Sequence, residues 1–187
     1  MEPLASMTDS DLLAACRTGD RDAMRDLYVQ NQRRVFSVAM NYFGGNRELA
    51  EDITQKVFLK LLTKLDFRGQ SEFTTWLYRV TVNACIDEAR RTRRFVDLAN
   101  VFGLAERRGP QVQQLMAESG EVTETVQNEI AKLKPKFRLA LVLKYSEGLS
   151  YNEIADVLGC SIGTVSSRLN RAHKTLADRL GHLRNAS

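Results

Sequence analysis

Two groups of cationic and small polar side chains stand out in this sequence, and both suit the binding of nucleic acid. The first lies between Leu149 and Ala172, where one helical face carries small hydroxyl residues followed by arginines. Its members are Ser161, Thr164, Ser167, Arg168 and Arg171. Polar groups near a helix start can reach base edges in the DNA major groove, and arginines further along can reach phosphates. This face therefore predicts recognition of duplex DNA.

The second group is a stripe on the helix that is predicted to start at Phe73. At 100° per residue, its members fall within roughly 60° of one another. They are Arg79, Asn83, Arg90 and Arg94. The apolar residues of the same helix group about a right angle away; they are Phe73, Leu77, Val80 and Ala84. Ile86 interrupts the stripe, but a core helix with a row of arginines is still expected to meet a phosphate backbone.

Aromatic side chains near this stripe could stack on unpaired bases, which duplex binding does not need. Trp76 and Tyr78 lie in the same helix, and Phe67 lies in the polar loop that precedes it. We expect Trp76 to belong to the core, so Tyr78 and Phe67 are the better candidates for stacking.

Catalytic chemistry finds little support in the sequence. The three cysteines, Cys16, Cys85 and Cys160, match neither a zinc spacing nor a CxxC pair. The histidines, His173 and His182, cannot be combined with other residues of the sequence into a catalytic set of nucleophile, base and orienting group. We expect reduced thiols that serve in packing, no metal or cofactor and no enzymatic activity; a thiol switch or an enzyme using Cys85 or Cys160 is the remaining alternative.

A helix-turn-helix would position the first group. Ser150 and Glu153 have the spacing of a capping box, which starts a helix. Gly159 can end that helix in the left-handed conformation, and Ser161 can cap the next one. The second helix directs one row of apolar residues inward, namely Val165, Leu169, Ala172 and Leu176. The alternative is an ordinary helical hairpin with a solvated basic face.

Composition places the chain among soluble helical proteins. Its 187 residues are 43% hydrophobic, and 27 Lys and Arg against 23 Asp and Glu give a formal charge of only +4. Apolar spacing near 3.6 residues predicts an all-α fold. We find no signal-peptide pattern and no apolar run long enough for a membrane span, so we expect a cytoplasmic protein.

The helical pattern divides into two domains. Helices are predicted over residues 8–18, 21–43, 47–65 and 73–94, within a first domain of residues 1–95. Poor periodicity predicts a flexible linker over 96–120 with a turn or two of helix. A second domain, 121–187, would hold four helices. On the third helix the outward residues favour plain solvated surface over a docking site; they are Glu48, Glu51, Asp52, Gln55, Lys56 and Lys60.

The chain as a whole resembles bacterial sigma factors of the extracytoplasmic-function group, which keep only regions two and four of the sigma-70 family. The resemblance is carried by DITQKVF (52–58), FRGQSEFTTWLYRVTVNACID (67–87) and GLSYNEIADVLGCSIGTVSSRLNRA (148–172). It implies a sigma region 2 bundle and a sigma region 4 helix-turn-helix domain joined by a linker that follows the polymerase towards its RNA exit. The function implied is promoter-specific initiation of transcription.

The resemblance also implies roles for particular residues. Three would bind core RNA polymerase, namely Asp52, Gln55 and Phe58, which reverses the expectation of a plain surface there. A second set would capture the melted -10 strand, namely Phe67, Arg68, Gly69, Gln70, Ser71, Arg79, Asn83, Arg90 and Arg94. A third would read the -35 duplex, namely Ser161, Thr164, Ser166, Ser167, Arg168 and Arg171. Lys56 and Ser166 depart from the usual pattern, in which an acidic and a basic residue are common.

The implied partners are the clamp of the largest polymerase subunit, the flap of the second-largest subunit and promoter DNA. An anti-sigma factor is expected to mask these surfaces, because nothing within the chain looks able to occlude its own domains. We expect a monomer when the protein is free. The rival interpretation is a stand-alone helix-turn-helix regulator, which would bind duplex DNA without core polymerase.

Overall fold

The computed structural model describes residues 9–63, 71–101 and 121–181, and all regular elements within these ranges are helical. In chain order the α-helices are α1 (Asp9–Arg17), α2 (Arg21–Tyr42), α3 (Arg47–Thr63), α4 (Phe73–Val101), α5 (Glu121–Ala131), α6 (Pro135–Leu141), α7 (Tyr151–Leu158) and α8 (Ile162–Leu180). A π-helical turn, Val142–Ser146, extends α6. The all-α expectation is confirmed.

Local sequence explains where the first helices begin and end. Asp20 caps α2 by accepting hydrogen bonds from the amides of Asp22 (2.9 Å) and Ala23 (3.1 Å). Gly44 and Gly45 have φ of 63° and 90°, so they form the left-handed turn between α2 and α3. α4 continues past its predicted end at Arg94 to Val101, because no Gly or Pro occurs in that segment to stop it.

Helices α1 to α4 pack into one bundle. Apolar spacing predicts one inward stripe on each of α2 and α3, namely Met24, Leu27, Val35, Val38 and Tyr42, and Leu49, Ile53, Val57, Leu61 and Leu65. Their described members are buried except Met24 and Leu49, which are half-buried, and Leu65 lies outside the described residues. Phe73 and Leu77 of α4 complete the core of the bundle. On α4 the buried face is wider than predicted, since Val82 and Cys85 are buried while Val80 and Ala84 are only half-buried. The core face of α4 is therefore rotated away from the arginine stripe.

Helices α5 to α8 form the second group. Pro135 is the first residue of α6, where its missing N–H costs no helical hydrogen bond. Gly148, with φ of 70°, ends the segment after the π-helical turn. The helices bury Leu139, Ala140, Leu143, Ile154, Val157, Val165, Leu169 and Ala172. The inward row predicted for α8 is confirmed except at Leu176, which is half-buried.

The two groups of helices are in contact. Helix α7 lies against α4, and the π-helical turn lies against α2. Glu147 accepts hydrogen bonds from Ser37 and Tyr78, and Arg79 donates one to the carbonyl of Asp156. The Glu147 side chain, just before the helix-turn-helix, and the Asp156 carbonyl, within it, therefore engage α2 and α4. Arg79 itself stays exposed, so the expectation that the chain does not occlude its own domains stays a prediction.

A buried carboxylate joins α3 to α4. Glu88 is 6% exposed and accepts hydrogen bonds from Lys56 Nζ (3.0 Å) and from Arg91 Nη2 (2.7 Å). Burial alone would raise the pKa of Glu88, but the hydrogen bonds and charges of Arg91 and Lys56 outweigh it and hold the pKa below 4.5. This contact also gives Lys56, the departure from the family pattern, a structural role.

We expect Glu88→Gln to lower the free energy of unfolding by about 1–3 kcal/mol at neutral pH, because it weakens the charge-assisted hydrogen bonds that Lys56 Nζ and Arg91 Nε and Nη2 donate to the buried carboxylate. The native pKa of Glu88 is depressed, so its stabilisation is present above the unfolded-state pKa and is lost as pH falls through the native value. Urea unfolding at pH 7 and pH 3.5 checks this.

The difference between Glu88→Gln and the parent chain should shrink at the acidic pH. A matched control is Asp87→Asn, which changes an exposed neighbour whose nearest cation, Arg90, is 3.9 Å away. A Glu88→Gln variant as stable as the control at pH 7 would contradict the prediction.

Candidate nucleic-acid and polymerase interfaces

The predicted helix-turn-helix is formed as the sequence indicated. The amide of Ser150 donates to Glu153 Oε2 (2.7 Å), and the amide of Glu153 donates to Ser150 Oγ (3.2 Å), which completes the capping box. Gly159 has φ of 59° and ends α7. Ser161 then caps α8 by accepting from the amide of Thr164 (3.2 Å). These local contacts fix the angle at which α8 leaves the turn.

The polar face of α8 is accessible to a ligand. Ser161, Ser167 and Arg171 are exposed, and Thr164, Ser166 and Arg168 are half-buried. The hydroxyls of Ser161 and Thr164 lie 2.9 Å apart, and Ser167 Oγ donates to the carbonyl of Thr164 (2.9 Å). The hydroxyl groups are thus oriented by local hydrogen bonds while the arginines extend outward.

One exposed apolar residue of this face was missed in the sequence. Ile162, the first residue of α8, is 50% exposed. Its position next to the Ser161 cap puts it at the end of the helix that would approach base edges, where apolar side chains can contact thymine methyl groups. The sequence did not indicate the exposure of Ile162, because an isoleucine at a helix start is expected to be buried.

The stripe on α4 remains at the surface. Arg79, Asn83, Arg90 and Arg94 are all exposed. Ile86, which interrupts the stripe, is half-buried and packs against the core, so it does not displace the cations. Ser71 lies just before α4 and is half-buried, whereas Phe67, Arg68, Gly69 and Gln70 lie outside the described residues. The described part of the second predicted group therefore forms one exposed helix face.

The aromatic residues of α4 divide differently from the prediction. Trp76 is half-buried and stacks on Phe73, with ring centroids 5.9 Å apart, and it packs against the core as expected. Tyr78 is 6% exposed and donates a hydrogen bond to Glu147 Oε2 (3.0 Å). Tyr78 is thus not available for stacking on a base in this structure. The prediction that Tyr78 stacks on a base was wrong because the residue that binds its hydroxyl, Glu147, lies far along the chain.

A surface groove separates α2 from α3. Its volume is about 570 Å³, and it is lined by Tyr28, Val29, Gln32, Arg33, Phe36, Arg47, Glu51, Thr54 and Gln55. Val29 is 56% exposed, and Leu59 on the neighbouring turn of α3 is 65% exposed. Apolar groups beside charged ones on a surface of this kind are typical of protein docking sites. Sequence reasoning missed the contribution of α2, because its exposed apolar residues do not follow the core spacing.

The predicted polymerase-binding residues fall on and beside this groove. Gln55 lines it, and Asp52 is exposed one turn earlier, 3.5 Å from Lys56 Nζ. The expectation that Phe58 contacts polymerase must be corrected, because Phe58 is only 3% exposed. Its ring packs edge-on against Tyr28, with ring centroids 4.8 Å apart. Phe58 therefore supports the groove from beneath, while Tyr28 forms part of its surface.

The cysteines belong to the packing of the molecule. Cys16 and Cys85 are buried and Cys160 is half-buried, and all three are free thiols. Burial raises the pKa of Cys85 to about 12 and also raises that of Cys16, to which the charge of Asp20 adds. Among the described residues we find neither a cluster of His, Cys, Asp and Glu that could hold a metal ion nor a helix long and apolar enough to cross a membrane.

Comparison with known proteins gives consistent results for both halves. The family model for Sigma-70 region 2 matches residues 27–95, and that for Sigma-70, region 4 matches residues 123–176. The chain is 32% identical over 181 residues to the ECF RNA polymerase sigma factor SigW of Bacillus subtilis, covering 89% of this chain and 94% of that protein.

Two solved structures are similar to most of the chain. CnrH, in complex with the cytosolic domain of CnrY, has a TM-score of 0.62 and 26% identity, covering 91% of this chain and 96% of CnrH. The sigma factor RpoE of Bartonella quintana, in complex with the anti-sigma factor NepR, has a TM-score of 0.66 and 24% identity. The match covers 86% of this chain and 98% of RpoE. The latter likeness concerns the fold alone.

We expect alkylation of the native protein to modify Cys160 first. Cys85 is fully buried with a raised pKa, so its thiolate forms only when the bundle opens. Iodoacetamide at pH 8, followed by mass spectrometry of tryptic peptides, checks the order. The same reaction in denaturant serves as the control and should label all three thiols alike. Equal rates at Cys85 and Cys160 in the native protein would overturn the assignment of Cys85 to packing.

Proposed function

Because this chain belongs to the extracytoplasmic-function group of the sigma-70 family, we propose that its two halves divide promoter recognition between them. The chain is an RNA polymerase sigma factor. The proposal concerns which of its residues meet which ligand. The observation that carries it is the presence of two exposed polar faces of different kinds, the arginine stripe on α4 and the capped face of α8.

The α8 face is proposed to read the -35 element as duplex. Ser161, Thr164 and Ser166, with Ile162, would lie against base edges, because they occupy the first turn and a half of the helix. Ser167, Arg168 and Arg171 follow and would contact phosphates and bases along the groove wall. Ser166 is a shorter residue than the family commonly has, so this chain is expected to make one fewer phosphate or base contact there.

The α4 face is proposed to hold the melted -10 strand. Within the stripe, Arg79 and Asn83 are the residues closest in sequence to the segment 67–71, which is proposed to supply a pocket for an extruded base. Arg90 and Arg94 lie about two and three turns beyond Asn83 along the helix and would neutralise phosphates. No catalytic group is required, since binding free energy for the unpaired strand offsets the cost of unpairing. A stand-alone helix-turn-helix regulator would leave this face without a ligand.

The groove between α2 and α3 is proposed to dock on the clamp of the largest polymerase subunit. Val29, Tyr28 and Leu59 supply exposed apolar area, and Asp52 and Gln55 supply polar groups at the margin. An apolar centre with polar groups around it is the arrangement that protein interfaces use for affinity and orientation. The second domain is proposed to contact the flap of the second-largest subunit. An anti-sigma factor is proposed as a further partner, by analogy with the complexes of CnrH and RpoE.

The double variant Arg79→Ala with Asn83→Ala should reduce run-off transcription by the reconstituted holoenzyme at least about tenfold, because each hydrogen bond lost to a charged phosphate costs about 1.5–3 kcal/mol. Its affinity for core polymerase should stay within about twofold of the parent value. The control is Arg21→Ala, which removes an exposed cation from the start of α2. Unchanged transcript yield from the double variant would show that the stripe is solvated surface.

The variant Val29→Glu should weaken binding to core polymerase about tenfold or more, because it places a charge in the apolar part of the groove. Ile162→Glu is the matched control: it makes the same change at an exposed apolar residue on α8 and should leave core affinity near the parent value. Titration of labelled chain with core polymerase measures both. Equal affinities for the two variants would refute docking through this groove.

A further inference from the structure

We propose that Asn170 is the residue of α8 that selects an adenine in the -35 duplex, while Lys174 holds the helix against the neighbouring phosphates. The proposal rests on the proposed function, since it names a base that the α8 face reads. Neither residue was predicted from the sequence, whose pattern had indicated only hydroxyl residues and arginines on this helix.

The buried row of α8 shows which of its residues face away from the molecule. Val165, Leu169 and Ala172 are buried, and at about 100° per residue they fall within about 60° of one another. A second set also spans about 60° and is centred roughly 160° from the buried row. The members of this outward row are all exposed, and they are Gly163, Ser167, Asn170 and Lys174. The outward row is the part of α8 that would lie deepest in a groove.

The side-chain amide of Asn170 is free to bind a ligand. Asn31 and Asn41 on α2 each donate from Nδ2 to the carbonyl four residues earlier, at 3.1 and 2.9 Å. Asn170 makes no such bond, nor any other hydrogen bond to a residue that the structure describes. Asparagine is a weak helix former, because its amide competes for backbone groups. Within the fold, Asn170 therefore contributes nothing that alanine would not supply better.

The chemistry of the asparagine amide matches adenine. It presents a donor and an acceptor side by side, and adenine offers the N7 acceptor and the N6 donor in the major groove. The hydroxyls near the start of α8 are less selective, since a hydroxyl suits more than one base. They are also engaged locally: those of Ser161 and Thr164 lie 2.9 Å apart, and Ser167 Oγ donates to the carbonyl of Thr164. Asn170 is therefore the outward residue best suited to select one base.

Gly163 gives independent support for this orientation of the helix. A Cβ atom at this position would meet only Ser161 Oγ, at 4.0 Å, and the backbone φ is not positive. Neither packing nor backbone conformation in the described part of the chain requires glycine, although alanine is the better helix former. Glycine also serves where a ligand approaches the backbone closely. Its place in the outward row fits a DNA surface that approaches α8 from that side.

The spacing of the outward row matches the dimensions of the major groove. Gly163 and Asn170 are about 10 Å apart along the helix axis at about 1.5 Å per residue, and the groove is about 12 Å wide. Lys174 lies about 6 Å further along, where its long side chain would reach phosphates at the groove edge. Helix α8 carries no Asp or Glu before Asp178. No carboxylate of this helix segment would therefore repel the DNA.

The experiment measures run-off transcription by the reconstituted holoenzyme on promoters in which each -35 base pair is replaced in turn. At one position the parent should prefer adenine by about five- to a hundredfold, which is the discrimination that one bidentate contact provides. Asn170→Ala should lose this preference and keep those at the other positions. Asn170→Arg should change the preferred base there to guanine, whose O6 and N7 suit arginine. A misfolded variant could not acquire a new preference.

Asn152→Ala is the matched control, because it removes an exposed asparagine from the neighbouring helix α7. It should keep the parental preference at every -35 position. Lys174→Ala should weaken all promoters alike and reduce the slope of log affinity against log salt by about 1. Parental preferences at every position in Asn170→Ala would overturn the assignment of adenine to Asn170, and so would an equal loss on all promoters.

Gly163→Ala tests the orientation of the helix. It should raise the midpoint of thermal unfolding by about 1–4 °C, because alanine favours the helix. It should nevertheless lower transcription about fivefold, because its methyl group would displace a polar contact between α8 and the DNA. A glycine with a purely structural role would not give these opposite changes. A stabilised variant with full transcription would overturn the orientation on which the assignment of Asn170 depends.

Failure of this inference and failure of the proposed function give different results. If no -35 replacement changes transcription by the parent holoenzyme, α8 does not read this element and the proposed function of the second half fails. If the parent distinguishes -35 base pairs and Asn170→Ala distinguishes them equally well, only the role of Asn170 is refuted.

Discussion

Helix α4 has to satisfy two opposed requirements, and much of the structure follows from them. One face must enter the core of the first four helices, where Leu77, Val82 and Cys85 are fully or almost fully buried. The other must keep a row of cations hydrated and accessible for phosphates. Repulsion between closely spaced arginines would disfavour this helix on its own, so it needs an anchor at its cationic end. Glu88 provides this anchor because its carboxylate binds both Arg91 on α4 and Lys56 on α3. The link between the two helices fixes the orientation of the arginine stripe.

Local signals in the sequence predicted the features that depend on neighbours in the chain. The capping box of Ser150 and Glu153, the left-handed Gly159 and the Ser161 cap could be read directly, because each involves residues within one or two helical turns. The apolar stripes of α2 and α3 were likewise predicted, since burial on one side of a helix imposes a 3.6-residue period. The exposed arginines of α4 followed from the same periodicity.

The features that the sequence did not predict all depend on distant residues. Phe58 was placed on the polymerase-binding face by resemblance, although apolar spacing alone assigns it to the packed face of α3, and its ring packs against Tyr28 of α2. Tyr78 was expected at the surface, but it lies against Glu147, a residue 69 positions away. Lys56 looked like a change in surface charge, but it pairs with the buried carboxylate of Glu88 on α4. Polar contacts between helices leave no periodic trace, so no wheel or spacing rule could have found them.

The character of the contacts between the two halves also bears on how a sigma factor can be both stable and mobile. Glu147 and Arg79 exchange protein partners for water when the halves separate, so each contributes only a small net free energy while fixing orientation closely. The buried apolar residues of the two halves belong to one continuous cluster, which includes Val38 and Leu77 of the first half and Leu143 and Ile154 of the second. Burial of this apolar surface therefore contributes to holding the halves together, and the polar contacts orient one half on the other.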